Sequence, residues 1–101
     1  GFGAPVMLFV HSSRIIGPPQ CSDMGMWLQY LMLLAVEAGL ATCPQECWAM
    51  YGKTVRDTLD LDDGQILFTG LAIGYADRDA PVNNWPVQRA NVDDILEWQG
   101  F

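Results

Sequence analysis

At 101 residues, half of them apolar and 17% charged, the chain is one domain's worth of sequence at most and too apolar for disorder. Its net charge is −7, and its five basic residues (Arg14, Lys53, Arg56, Arg78, Arg89) are scattered. That pattern argues against a nucleic-acid or anionic-membrane partner. Three cysteines, an odd number, give no disulfide framework, and His11 is the only histidine, so a metal site lacks ligands. Buried or half-buried free thiols in a reducing compartment, the cytoplasm, are the expectation. No basic region precedes an apolar one, so no signal peptide is read. The chain opens without Met and enters an apolar run almost at once, which reads as a cut inside a gene.

Residues 6–10 are continuously apolar rather than alternating, which predicts a strand covered on both faces, with Pro5 tolerable as its first residue. Gly17, Pro18 and Pro19 break the chain in a loop over residues 15–20. The next helix takes Ser22 or Asp23 as its cap. From Met26 to Val36 only Gln29 is polar, and a helix apolar all round must be buried all round. The run is about half the ~20 residues a bilayer requires, so this is a core or interface helix. Gln29 pairs with its symmetry mate across a two-fold interface or bonds locally to backbone.

Residues 39–46 are the most informative stretch. Gly39 suits the left-handed conformation that ends a helix, and Pro44 suits the chain just before a new one. A short elbow is expected, with backbone N–H groups near Gln45 and Glu46 lacking an intrahelical partner. Such donors can hold an electron-rich ligand edge. A second helix over residues 46–59 places Trp48, Tyr51, Val55 and Leu59 on one stripe, with Lys53, Arg56 and Asp57 opposite and Gly52 weakening it. Asp60, Asp62, Asp63 and Gly64 form an exposed turn without the spacing of a calcium loop. Residues 65–75 form a second strand covered on both faces, in which Gly70 and Gly74 mark a close approach or a bulge.

After Asp77 the character changes: residues 78–92 show no helical or strand period, and residues 77–101 as a whole are read as an extended arm. It ends in the apolar residues Ile95, Leu96, Trp98 and Phe101, which must dock somewhere. Two buried strands, one all-apolar helix and one amphipathic helix cannot cover one another in a domain of this size. The chain needs a partner, whether further chain, a second copy or both.

At this point five pieces in order resemble one family. The strand APVMLFV, the helix and elbow SDMGMWLQYLMLLAVEAGLATCPQE, ILFTGLAIGYAD, the arm APVNNWPVQRA and the ending DDILEWQGF are similar, with close spacing, to the C-terminal half of flavin-dependent nitroreductases. The resemblance implies a partial α+β nitroreductase-like fold: two central strands, a buried dimer-interface helix, an amphipathic helix and an extended C-terminal arm wrapping a partner subunit. Residues 1–101 would be the C-terminal part of a single domain.

The resemblance also implies a homodimer with an FMN at each of two shared sites. NADH or NADPH would reduce the flavin, which passes electrons to nitroaromatics, quinones or similar acceptors in a ping-pong cycle. Pro44, Gln45 and Glu46 would lie against the isoalloxazine, with the Glu46 N–H toward flavin N5. Arg89 would reach the phosphate, where a guanidinium fork suits the anion. Family members often carry a second Arg three positions earlier; here that position is Pro86, so the resemblance implies that this half would hold the phosphate through Arg89 alone. The family's Arg-x-Ser-x-Arg phosphate motif does not occur in the chain. No catalytic side chain is assigned, because the flavin carries the chemistry. His11 reads as a hydrogen-bonded strand residue rather than a general acid, and Trp27, Trp48, Trp85 and Trp98 as packing or dimer contacts rather than flavin-stacking rings. The alternative is a chain that folds and dimerises yet binds no flavin alone.

Overall fold

The computed structural model describes residues 1–100, so Phe101, read above with the terminal apolar segment, lies outside the described residues. Strand β1 (Val6–Ser13) is followed by helix α1 (Pro18–Glu37), strand β2 (Ala41–Gln45), short helices α2 (Cys47–Met50) and α3 (Gly52–Leu59), and strand β3 (Gln65–Gly74). A 3-10 turn (Pro81–Asn84) and a single-turn helix α4 (Val92–Ile95) punctuate the arm. The sheet is antiparallel in the order β1-β3-β2, three strands where the sequence suggested two. The third strand is most of the supposed elbow. Pro44 hides it, because proline cannot donate to a ladder; β2 is an edge strand, the position in a sheet where that loss is tolerated.

Helix α1 starts earlier than a cap at Ser22 or Asp23 would allow. Gly17, in extended backbone, is the N-cap, and Pro18 and Pro19 are the first two helical residues. A missing N–H costs nothing in a turn whose donors have no helical acceptor, so these prolines begin the helix rather than delay it. The Gln20 side chain accepts the Gly17 N–H at 3.0 Å, half of a capping box.

The core centres on β3, where Leu67, Thr69, Leu71 and Ala72 are buried, and takes Leu28 and Ala35 from α1 and Val55 from α3. Two-sided cover is therefore reached by the middle strand alone, while β1 is mostly half-buried. Helix α1 is apolar all round but covered on one side only: Met26, Tyr30, Leu33 and Val36 stand more than half exposed, and Gln29 is exposed with them. The accessible surface is 8141 Å², against about 5,700 Å² for a compact monomer of this mass. The radius of gyration is 16.8 Å, where about 13 Å is usual for this length. The excess exceeds the roughly 800 Å² that one side of a standard interface buries. These elements leave a large apolar surface for something else to cover.

The second helix is broken at Tyr51, whose backbone (φ −102°, ψ 21°) leaves the helical region just before Gly52, a weak helix former. Of the predicted stripe, Val55 is buried and Trp48 half-buried, while Tyr51 and Leu59 remain exposed. Lys53 and Asp57 pair at 2.6 Å on the solvent side. The acidic turn is tied to the end of β1: Arg14 donates through Nε to the Asp63 carbonyl at 2.7 Å and through its backbone N–H to Gly64 at 2.8 Å.

Gly70 and Gly74 both mark close approaches. A Cβ on Gly74 would stand 2.8 Å from Pro5 Cδ, and one on Gly70 would stand 2.5 Å from Trp48 Cδ1. The bulge lies elsewhere, at Phe68, which the register skips between the pairs Val10–Thr69 and His11–Leu67. His11 Nδ1–H donates to Gln65 Oε1 at 3.0 Å. Cys21, Cys43 and Cys47 are all free, and all exposed rather than buried, since they lie on the uncovered first turn of α1, on the edge strand and at the start of α2. No helix among the described residues is long and apolar enough to cross a membrane.

Candidate functional site

The site begins with the stop of α1. Gly39 takes φ +75°, its N–H bonds Val36 O at 3.0 Å, and the Leu40 N–H bonds Ala35 O at 2.8 Å. These two bonds are a Schellman motif, satisfying helix-end carbonyls while reversing the chain. The reversal sends residues 41–45 along β3 as the edge strand, paired from Ala41–Gly74 to Gln45–Gly70.

Glu46 follows the last paired residue of β2 and is the N-cap of α2. Neither the ladder nor the helix supplies an acceptor for an N–H at that junction. Pro44 and Glu46 are exposed beside Cys43 and Cys47, whereas Gln45 is turned inward and 6% exposed. Its Oε1 accepts a 2.9 Å hydrogen bond from Trp48 Nε1, and its Nε2 is buried without an acceptor. The indole closes the arrangement: it lies against Gly70 and meets Phe9 edge-on, ring centres 5.4 Å apart and planes at 90°. A single side chain on α2 thus touches all three strands.

Pro44, Gln45 and Glu46 therefore stand together, presenting backbone and one proline ring, with no titratable group needed for the contact. Arg89 lies on the exposed arm beyond the 3-10 turn, and no hydrogen bond or ion pair joins it to them or to any other described residue. Two surface grooves open elsewhere. One, of about 420 Å³, runs past Phe9, His11, Asp23 and Trp27. The other, of about 550 Å³, lies among Phe2, Pro5, Thr42, Cys43, Tyr75 and Val82. Neither is lined by residues 44–46 or by Arg89. Among the described residues no group of three or more His, Cys, Asp or Glu could hold a metal ion.

Trp48 was legible from sequence as a member of the apolar stripe of the second helix and as one tryptophan of four, but not as a partner of Gln45. The signal that singles it out is its spacing three residues after Gln45, which lets the two side chains meet across a turn.

Residues 1–75 match the model of the nitroreductase family, and the chain belongs to that family. It is 38% identical over 100 residues to a 4-nitrobenzoate reductase of Pseudomonas putida, covering 99% of this chain and 44% of that protein. Among solved structures it superposes on an FMN and NADPH-dependent nitroreductase, NfnB, from Sphigopyxis sp. strain HMH with TM-score 0.97 and 71% identity, covering 100% of this chain and 45% of that one. The FMN-dependent nitroreductase NfnB of Mycobacterium smegmatis, solved in complex with NADPH, gives TM-score 0.92 at 31% identity, covering 98% and 44%. The chain spans less than half the length of these relatives. The α+β nitroreductase-like fold expected from the sequence is the fold observed.

Proposed function

We propose that this chain forms the sheet-edge half of an FMN site in an oxidoreductase of the nitroreductase type. The observation that carries this reading is the β2–α2 junction. There an N–H without an acceptor, an exposed proline and a locked glutamine offer a flat, donor-bearing wall. That chemistry fits one edge of a planar heteroaromatic ring with acceptor atoms. When bound, FMN supplies hydride uptake from NADH or NADPH and its ping-pong delivery to a nitroaromatic, quinone or similar acceptor.

The chain's own groups bind and orient. The Glu46 backbone N–H donates to flavin N5, and Pro44 and the Gln45 backbone lie against the ring system. The buried Gln45 side chain holds that backbone rather than the ligand. Arg89, a cation with no partner among the described residues, takes the phosphate. The FMN and NADPH of the two NfnB relatives support the same assignment.

The exposed face of α1 packs on a second copy of the chain, and the arm from residue 77 wraps that copy. The surface excess and the run of exposed apolar residues on the arm (Val82, Trp85, Val87, Ile95) support this. Three free thiols accord with a reducing compartment such as the cytoplasm.

The experiment is FMN titration of the purified protein followed by NADPH consumption with 4-nitrobenzoate as acceptor. Stoichiometric FMN uptake with acceptor-dependent turnover supports the reading. A protein that folds, self-associates and takes up no FMN refutes it for this chain.

A further inference from the structure

We propose that Trp48 is a positioning residue that sets the direction of the Glu46 backbone N–H; its relevance to flavin rests on the FMN reading above. Gln45 adjoins Glu46, and its side chain is the only part of that junction buried in the protein. Its amide has one hydrogen bond, the 2.9 Å bond from Trp48 Nε1, because Nε2 finds no acceptor. One tether leaves an amide free to pivot unless the donor itself cannot move.

Trp48 cannot move. Its ring sits where a Cβ on residue 70 would stand 2.5 Å from Cδ1, and the edge-on contact with Phe9 closes off another direction. Position 70 pairs with Gln45 itself, so ring, amide and ladder form one closed unit around a single strand pair. The indole converts the rigidity of β1 and β3 into a fixed orientation for the residue at the end of β2. The Glu46 N–H, which no ladder or helix bond orients, inherits that orientation.

The test is the residual dipolar coupling of the Glu46 amide, which reports N–H direction, read by NMR on the cofactor-free protein, with FMN titration and visible spectra of the same variants. Trp48→Phe keeps an aromatic ring against Gly70 and removes the N–H. Gln45→Met removes the tether from the other side, keeps side-chain length and eliminates the buried amide, so it protects against a result due to unfolding. Both variants are expected to change the Glu46 coupling while the Leu71 coupling stays unchanged. In Trp48→Phe, FMN affinity falls about three- to tenfold, the size of one neutral hydrogen bond, with a displaced flavin absorption band. Unchanged Glu46 coupling in both variants overturns the proposal. So does weakened FMN binding without a change in coupling, which would make Trp48 a ligand contact. Wild-type protein that takes up no FMN, with variants that still show the Glu46 response, supports the positioning role and refutes the cofactor reading alone.

Discussion

Leu40 donates its N–H to the carbonyl of Ala35 at 2.8 Å across Gly39, so the end of the apolar helix and the start of the edge strand are one hydrogen-bonded unit. That reversal lays residues 41–45 along β3 and so places the β2–α2 junction. A Cβ at position 39 meets nothing within 4 Å, so the cost of Gly39→Ala is purely that of a side chain at φ +75°. We expect a loss of about 1–2 kcal/mol in urea unfolding, and a smaller loss for Gly39→Asn, which tolerates left-handed backbone. Equal midpoints for Ala and wild type would contradict it.

Gly70→Ala tests the close approach of Trp48. The nearest obstacle is a ring wedged between two strands rather than the flexible end of a side chain. Overpacking of that kind costs about 1–3 kcal/mol. Denaturant midpoints measure it, and a variant as stable as wild type would mean the ring is free to withdraw.

Arg89→Ala separates binding from folding. The residue is exposed, with no hydrogen bond or ion pair among the described residues, so thermal stability should not change. FMN affinity, read by quenching of flavin fluorescence, should fall about ten- to hundredfold, the size of a charge-assisted hydrogen bond to phosphate. Riboflavin, which lacks the phosphate, should bind both proteins alike. Equal FMN affinity would remove Arg89 from the site.

Leu33→Glu addresses the uncovered face of α1. Leu33 is 58% exposed in the single chain, so a carboxylate there costs that chain little. Buried against a second copy it would be an unpaired charge, costing several kcal/mol. Sedimentation should show a dimer for wild type at micromolar concentration and a monomer for the variant. Identical sedimentation would place the interface elsewhere.

Much of this architecture was legible because apolar patterning reports burial whether or not the covering surface belongs to the same chain. The run from Met26 to Val36, apolar but for Gln29, announced a helix needing cover on every side, and the structure buries only Leu28 and Ala35 fully, with Leu31 and Met32 half-buried. Gly39 was legible as a helix stop because only backbone sterics decide it. The edge strand was not, since Pro44 removes the alternation and donor pattern by which strands are recognised, and its pairing with β3 is a long-range choice. Pro18 and Pro19 were misleading for a related reason: proline breaks helices in the interior yet begins them at the first turn. The site itself divides the same way. The position of Glu46 at a helix start followed from local sequence, whereas the contact of Trp48 with Gln45, Gly70 and Phe9 exists only once three strands assemble.

The most direct test of the account is FMN binding by the purified protein, followed by equilibrium titration and the visible absorption spectrum. The account predicts saturable uptake of one FMN per chain, a perturbed flavin band, and bleaching of that band by NADH or NADPH without oxygen. A folded, self-associated protein that remains colourless in excess FMN would contradict it.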